Sequence, residues 1–152
     1  MPRLSRSVSQ RSQRSQADCL PIAVQMVASY LGYDVPYETV YDLLGTEWYG
    51  TPFRHLERLS ELGLRVSIEH LGTAEIAAYI EQDLPVIAGV QTAPLPYWSQ
   101  AADHVVVVVG VDADQIYLHD PSLSSGPQAV PRTAFELAQL DFDNLCAVII
   151  KE

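Results

Sequence analysis

The sequence has few cysteines and lacks any long apolar run. Only two cysteines, Cys19 and Cys146, occur in 152 residues, too few for the disulfide framework of a small secreted domain. No stretch approaches the roughly 18 to 20 apolar residues that a membrane-spanning helix needs, and the start of the chain has no apolar signal core. We therefore expect a cytoplasmic chain without a membrane span, in which both thiols are free.

Basic residues are scarce outside the first sixteen positions. That segment, MPRLSRSVSQRSQRSQ, holds four arginines and no acid, whereas the remaining chain holds five basic residues against all 19 acidic residues. Such an acidic balance repels nucleic acid and anionic lipid, so we expect neither as a partner. The Ser- and Gln-rich start is either an interaction arm or, more commonly, a solvated terminus. We expect residues 1–12 to form a partly disordered basic tail and residues 13–152 to form one domain.

The hydrophobic pattern fits one core and alternates between helical and extended segments. After Cys19, apolar residues recur at helical spacing, and Gly32 gives a C-terminal stop, which predicts a helix over about 19–31. The run DHVVVVVGVD, at 103–112, contains five consecutive valines and is typical of the centre of a sheet. The other predictions are helices near 37–44, 52–62, 74–81 and 133–140, strands near 65–70, 85–91, 115–120 and 145–150, and a loop over 122–131. Helices in the first part of the sequence and an antiparallel sheet in the second part indicate an α+β domain.

Cys19 lies at the predicted start of the first helix, within QADCLPIAVQMVASYLG. The unpaired N–H groups and the dipole at a helix N-terminus favour a thiolate over a thiol. A cysteine nucleophile also needs a base, a group that orients the base, and donors for the oxyanion. Cys19 is therefore a candidate nucleophile, although a cysteine at a helix start is more often a small buried hydrophobe.

A histidine and a carboxylate are predicted to meet on the sheet. His104 begins the valine strand, and Asp120 ends the next strand sixteen residues later. A turn at 112–114 makes these strands a hairpin, which brings the two side chains side by side. A cysteine on a helix, with a histidine and a carboxylate on a sheet packed against it, is the arrangement of a catalytic triad. The alternative is a polar pair that only satisfies itself at the end of the sheet.

The order and spacing of these motifs resemble the papain-like cysteine peptidases of family 39, which process bacteriocin leader peptides. The resemblance rests on Gln13, on ADC with Cys19 six residues later, and on DHVVVVVGVDADQIYLHDP. In addition, GTPFRHLERLSELGLRV is similar to the family's middle helix and following strand, and LPVIAGV to the strand before its histidine loop. The resemblance covers about residues 13–150.

This resemblance implies a papain-like fold, with N-terminal helices packed on an antiparallel sheet, and the activity of a thiol protease. It implies that Cys19 is the nucleophile, His104 the base and Asp120 the orienting carboxylate, with Gln13 as an oxyanion donor beside the Cys19 amide. Relatives cut a leader peptide after a Gly-Gly pair, and many are fused to a peptide exporter. We find no transporter domain in this sequence, so an exporter partner is expected to be a separate protein. Leu20 stands where family members commonly have glycine, which bears on substrate fit beside the nucleophile.

Three alternatives stay open at this point. An amine that takes the place of water at the thioester intermediate would make the chain an acyltransferase. A catalytically silent peptide-binding module on the same fold is the second alternative, against which the presence of all four candidate residues argues. The third is a metal cluster made of Cys19, His104, His119 and Asp120. The sequence contains no cofactor motif, and Cys146 is predicted to lie in the core.

Four aromatic residues fall in predicted loops before the middle helix and before His104. They are Trp48, Tyr49, Tyr97 and Trp98. Their large amphipathic rings suit either the lining of a substrate cleft or the packing of the loops onto the core.

Overall fold

The computed structural model describes residues 3–151; Met1, Pro2 and Glu152 lie outside the described residues. Its α-helices are α1 (Cys19–Tyr30), α2 (Tyr37–Leu43), α3 (Thr73–Glu81) and α4 (Arg132–Gln139), and 3-10 helices span Phe53–Leu62 and Leu140–Phe142. Its strands are β1 (Leu64–His70), β2 (Val86–Gln91), β3 (Asp103–Val111), β4 (Gln115–His119), β5 (Gln128–Pro131) and β6 (Leu145–Lys151). Within this described range, no helix is both long enough and apolar enough to cross a membrane.

The strands form one antiparallel sheet in the order β1-β6-β2-β3-β4-β5. On one face, α1, α2 and the 3-10 helix Phe53–Leu62 bury their apolar side chains. On the other face lie α3 and α4. The α+β architecture predicted from the sequence, with N-terminal helices packed on an antiparallel sheet, is confirmed.

The five consecutive valines of β3 reflect the burial of this strand on both faces of the sheet. Val105 and Val107 pack into the cluster beneath α1, whereas Val106 and Val108 pack into the cluster beneath α3 and α4. Because successive side chains of a strand point to opposite faces, a strand covered on both sides reads as an unbroken apolar run. This central strand therefore places its first residues, among them His104, at a fixed edge of the core.

Two elements differ from the sequence-based expectations. The segment Phe53–Leu62 is a 3-10 helix instead of an α-helix, and it ends at Gly63, whose φ is 77°. The expected loop over 122–131 contains the short strand β5, which pairs with β4 at the edge of the sheet. An edge strand tolerates a terminal proline such as Pro131, because the missing N–H is not needed by a further strand.

The N-terminal segment, residues 3–12, lies against the domain, where the composition predicts a partly disordered tail. The Ser5 hydroxyl donates to Asp83 Oδ2 at 2.7 Å, and Val8 is buried in the core cluster beneath α1. Arg3 forms an isolated antiparallel bridge with Gly110. Three of the polar residues that favour a solvated tail in the sequence, Ser5, Gln10 and Ser12, instead donate side-chain hydrogen bonds to the folded chain. The first two residues of the expected tail lie outside the described residues.

Candidate active site

Cys19 is the first residue of α1 and is half-buried on the wall of a cavity of about 220 Å³. The start of a helix surrounds it with N–H groups that have no intrahelical partner and with the positive end of the helix dipole. Leu20, at the position where the family that the sequence resembles commonly has glycine, is 2% exposed and forms part of the same wall. The side chain that follows Cys19 thus lies on the cavity wall.

The loop before Cys19 is organised by Asp18. This carboxylate is fully buried and accepts hydrogen bonds from the N–H groups of Arg14 (2.9 Å) and Ser15 (3.1 Å) and from the Tyr37 hydroxyl (2.7 Å). The carboxylate makes no capping hydrogen bond to α1, so the first N–H groups of that helix have no side-chain acceptor on Asp18. The sequence does not predict this role, since an aspartate before a helix usually caps the helix itself.

His104 and Asp120 are hydrogen-bonded to each other at the end of the β3–β4 hairpin. The Nε2–H of His104 donates to Oδ1 of Asp120 at 2.6 Å, and the two side chains are 4% and 0% exposed. The register pairs Val107 with His119. Because successive side chains alternate between the two faces of a sheet, His104 and Asp120 both lie on the face opposite to that of Val107 and His119. The hairpin brings together the histidine and the carboxylate that the sequence analysis placed side by side.

Asp120 is a buried carboxylate, and each of its two oxygens accepts hydrogen bonds. Besides the His104 ring, Oδ1 accepts from the N–H (2.8 Å) and the hydroxyl (2.7 Å) of Ser122. Its Oδ2 accepts from the Tyr97 hydroxyl (2.6 Å) and from Trp98 Nε1 (2.9 Å). Burial raises the pKa of Asp120, but these hydrogen bonds and the charge of His104 outweigh it and hold the pKa well below its ordinary range. The carboxylate is therefore ionised and held in one orientation.

His104 is a buried imidazole whose environment favours the charged form. Burial lowers the pKa of His104, but the hydrogen bond to Asp120 and the contact with Cys19 outweigh burial and raise the pKa to about 9. Because Nε2 faces Asp120, Nδ1 is the ring nitrogen left for Cys19. The Trp98 ring packs edge-on against the imidazole with centroids 4.9 Å apart, which helps to exclude water from the pair.

Gln13 lies beside this pair, but its side-chain amide is turned toward its own loop. Its backbone N–H donates to Pro121 O at 2.7 Å, and its Nε2 donates to Ser15 O at 2.6 Å. Its Oε1 is buried without a hydrogen-bond partner among residues 3–151. The glutamine on the cavity wall is the exposed Gln16. The structure thus brings Cys19 and His104 to one cavity, with Asp120 buried behind the imidazole, and leaves Gln13 outside the cavity wall.

His119 belongs to the other face of β4. It is 2% exposed, and its Nδ1 lies 2.6 Å from Oε1 of Gln10. It therefore does not join Cys19, His104 and Asp120 in the shared cluster that a metal site would need. Throughout the described part of the chain, no group of three or more His, Cys, Asp or Glu side chains is arranged to hold a metal ion.

The four loop aromatics divide into two pairs. Tyr97 and Trp98 hold the Asp120 carboxylate, a role that the sequence analysis did not assign. The general signal for it is that a buried Tyr or Trp seeks an acceptor for its polar atom. Trp48 and Tyr49 are 85% and 70% exposed, form an edge-to-face pair with centroids 5.4 Å apart, and bring Tyr49 to the cavity wall. They form an exposed aromatic rim at the cavity.

A family model for the peptidase C39 family matches residues 7–139. The chain belongs to this family, and the resemblance found in the sequence is confirmed. No curated protein has a sequence that matches this chain.

Solved structures share the fold over nearly the whole chain. A C39-like protein from Bacillus anthracis has a TM-score of 0.82 at 16% identity, covering 100% of this chain and 98% of that one. The peptidase domain of Streptococcus ComA, a bifunctional ABC transporter involved in a quorum-sensing pathway, has 0.79 at 19% identity, with coverages of 96% and 100%. A double-glycine-motif protease from an AMS/PCAT transporter, in complex with the leader peptide, has 0.76 at 18% identity, with coverages of 100% and 99%. The fold is that of C39 peptidase domains.

Proposed function

We propose that this chain is a cysteine peptidase that hydrolyses a peptide bond, with Cys19 as nucleophile, His104 as proton carrier and Asp120 as orienting carboxylate. The observation that carries the proposal is the buried His104–Asp120 hydrogen bond of 2.6 Å next to the thiol at the N-terminus of α1. This arrangement supplies a nucleophile, a base and a group that fixes the base. Membership of the peptidase C39 family supports the same reaction.

The reaction begins from a thiolate and an imidazolium. With a pKa of about 9, His104 carries a proton at neutral pH, and a positive charge beside a sulfur stabilises its thiolate form. The Cys19 sulfur attacks the carbonyl carbon, Nδ1–H of His104 gives its proton to the leaving amine, and the C–N bond breaks to leave a thioester. Nδ1 then takes a proton from a water molecule, whose oxygen attacks the thioester carbon. The C–S bond breaks, which releases the acid and restores the Cys19 thiolate and the His104 imidazolium.

The developing oxyanion needs donors near Cys19. We assign the Cys19 backbone N–H and the Gln13 side-chain amide to this role. An amide nitrogen carries two hydrogens, and only one of those on Gln13 Nε2 is used, by Ser15 O. On substrate binding, the Gln13 amide turns from Ser15 toward the cavity, so that its donor meets the charge as it forms.

The substrate that we propose is a peptide with small residues at the cleavage site, of the Gly-Gly leader type. The cavity is small, about 220 Å³, and Leu20 and Phe53 are among the apolar residues that line it. The exposed aromatic rim of Trp48 and Tyr49 offers apolar contacts to the rest of the peptide. The solved relative in complex with a leader peptide supports this substrate class, and two relatives from transporters support a peptide exporter as partner.

We place this reaction in the cytoplasm, because a thiol nucleophile works only while it stays reduced. Both cysteines are free in the structure.

The experiment uses a peptide in which Gly-Gly precedes a fluorogenic amine, with Val-Val in its place as the matched comparison. We expect the parent and Cys146→Ala to release the amine from the Gly-Gly peptide, and Cys19→Ala to release none. Release by Cys19→Ala at the parent rate would contradict the nucleophile. Mass spectrometry of the acyl product separates a free acid, the product of hydrolysis, from an amide formed by acyl transfer. Binding without any product would indicate a silent peptide-binding module.

A further inference from the structure

The N-terminal segment contacts the backbone turn that carries the candidate catalytic carboxylate. We call residues 120–123 the Asp120 turn; it is closed by a hydrogen bond of 3.0 Å from the Leu123 N–H to Asp120 O. Nε2 of Gln10 donates to Asp120 O at 2.9 Å and to Leu123 O at 3.1 Å. One side-chain amide, 110 positions away in the sequence, thus holds both ends of this turn.

Gln10 is fixed in one orientation by its other amide atom. Its Oε1 lies 2.6 Å from Nδ1 of His119, a ring that is 2% exposed. The opposite orientation would aim an N–H₂ group at His119 and an oxygen at three backbone carbonyls, those of Arg11, Asp120 and Leu123. Gly126 closes the site, because a Cβ at that position would lie 2.7 Å from Gln10 Oε1 and would overlap the His119 ring. A side chain at position 126 would therefore displace the Gln10 amide or the His119 ring.

Further hydrogen bonds join the same two stretches of chain. The Ser12 hydroxyl donates to Leu123 O at 2.7 Å, and the Gln13 N–H donates to Pro121 O at 2.7 Å. Within the Asp120 turn, the N–H and the hydroxyl of Ser122 both donate to the carboxylate oxygen that His104 also contacts. The course of the turn therefore sets the direction in which the carboxylate points.

We propose that Gln10 is a positioning residue for the peptidase reaction: it holds the Asp120 turn so that the Asp120 carboxylate stays aimed at His104. This role rests on the proposed function. Gln10 touches neither the substrate cavity nor the thiol, and it acts through the backbone of the turn. The orientation of His104, the proposed base, matters because a displacement of about 1 Å in a catalytic group can lower the rate by roughly 10²-fold.

A matched control comes from the other end of the N-terminal segment. Ser5 anchors the segment to Asp83, with hydrogen bonds of 2.7 Å from its hydroxyl and 2.6 Å from its N–H. These contacts hold the segment to the domain but do not involve the Asp120 turn. Ser5→Ala therefore weakens the docking of the segment without removing a donor from the turn.

The kinetic test compares Gln10→Ala, Gln10→Met and Ser5→Ala with the parent on the Gly-Gly peptide. We expect kcat to fall by about 10-fold or more in both Gln10 variants, with KM changed by less than about 2-fold, because the aim of His104 affects the transition state more than substrate binding. Gln10→Met retains the length of the side chain but no donor, so it distinguishes lost hydrogen bonds from lost packing. Ser5→Ala should retain the parent kcat.

A second readout needs no substrate. The pKa of His104, followed by NMR of the labelled imidazole, should be lower in Gln10→Ala and Gln10→Met than in the parent, and unchanged in Ser5→Ala. This titration decides the role of Gln10 even if the parent cleaves no test peptide, so failure of the proposed function and failure of this proposal are distinguishable. A His104 pKa that is the same in the parent and in the Gln10 variants would overturn the proposal. A His104 pKa lowered as much in Ser5→Ala as in the Gln10 variants would overturn it as well.

Discussion

The imidazole of His104 and the carboxylate of Asp120 share a 2.6 Å hydrogen bond that is closed off from solvent. The second carboxylate oxygen is occupied as well, by the Tyr97 hydroxyl and Trp98 Nε1. A carboxylate with donors on both oxygens cannot rotate away from the histidine without breaking several buried hydrogen bonds. The orientation of the histidine is thus set by a loop as well as by the β3–β4 hairpin.

Replacing Asp120 by Asn should lower kcat by about 10²- to 10⁴-fold while the chain still folds. An amide has one acceptor atom, so it cannot accept from His104 on one side and from Tyr97 and Trp98 on the other. A donor left unpaired in this buried site costs about 1 to 3 kcal/mol. Steady-state kinetics and urea unfolding measure the two effects. Asp114→Asn, at an exposed turn, is the control and should alter neither quantity; an unchanged kcat in Asp120→Asn would leave Asp120 a purely structural role.

The free energy of unfolding should decline as the pH rises from about 6.5 to about 9. Because the pKa of His104 is raised from 6.5 to about 9, the folded chain holds a proton across this interval that the unfolded chain releases. The stabilisation is complete below about 6.5 and is lost as the pH passes 9; its size is at most about 3 kcal/mol. Urea unfolding at a series of pH values gives the curve.

Asp120→Asn is the comparison for this pH dependence, since it removes the charge that raises the pKa of His104. Its stability should decline less over the same interval. If parent and variant decline equally, the pH dependence comes from groups other than this pair.

Iodoacetamide at neutral pH should modify Cys19 more than about 10²-fold faster than Cys146, because only a thiolate reacts. Cys146 is fully buried, and burial raises its pKa to about 12. Cys19 lies on a cavity wall next to His104. Mass spectrometry of the two cysteine peptides over time gives both rates, and His104→Ala should slow the labelling of Cys19. Denatured protein serves as the control in which the rates converge; equal rates in the folded chain would refute an activated thiol.

Gln13→Ala should lower kcat by roughly 10² to 10³, the usual cost of one lost oxyanion donor. KM should change far less, because the charge that the amide meets develops mainly in the transition state. Gln16→Ala is the matched comparison, as this exposed residue lies on the cavity wall. A larger loss of kcat in Gln16→Ala than in Gln13→Ala would transfer the donor role to Gln16.

Trp48→Ser should raise KM by about 5- to 20-fold with little change in kcat, because a contact made equally in ground and transition states affects binding alone. Its stability should remain close to that of the parent, since Trp48 is 85% exposed and buries little area on folding. Leu137→Ser on α4, at 58% exposure, is the control for loss of an exposed apolar side chain. A KM equal to that of the parent would show that the aromatic rim does not contact the peptide.

The parts of the site that the sequence predicted are those with a local pattern. The apolar periodicity after Cys19 marks the start of α1, and the valine run with a turn after it predicts the hairpin that joins His104 to Asp120. Both inferences need only the period of the side chains and the reach of a short turn. They therefore hold without knowledge of the rest of the fold.

The supporting contacts had no such pattern. Tyr97 and Trp98 reach Asp120 from a loop more than twenty positions earlier, and Gln10 reaches it from more than one hundred positions earlier. Single polar residues in loops have no period, and the same Ser and Gln residues that dock the N-terminal segment are typical of solvated tails. Strand β5 was missed for a related reason: its composition is that of a loop, and only pairing with β4 makes it a strand.

The position of β6 in the sheet determines when the site can exist. Among the described residues β6 is the strand latest in sequence, yet it lies between β1 and β2, and both of these strands pair with it. Pairing between distant parts of a chain is slow, because the entropy of closing the intervening loop is lost before any contact forms. During synthesis, the segment with Cys19 leaves the ribosome long before β6 does, so the thiol spends that interval outside a completed fold. The cavity on which Cys19 lies includes Leu145 of β6 in its wall, so this cavity is complete only after β6 has been synthesised and has paired.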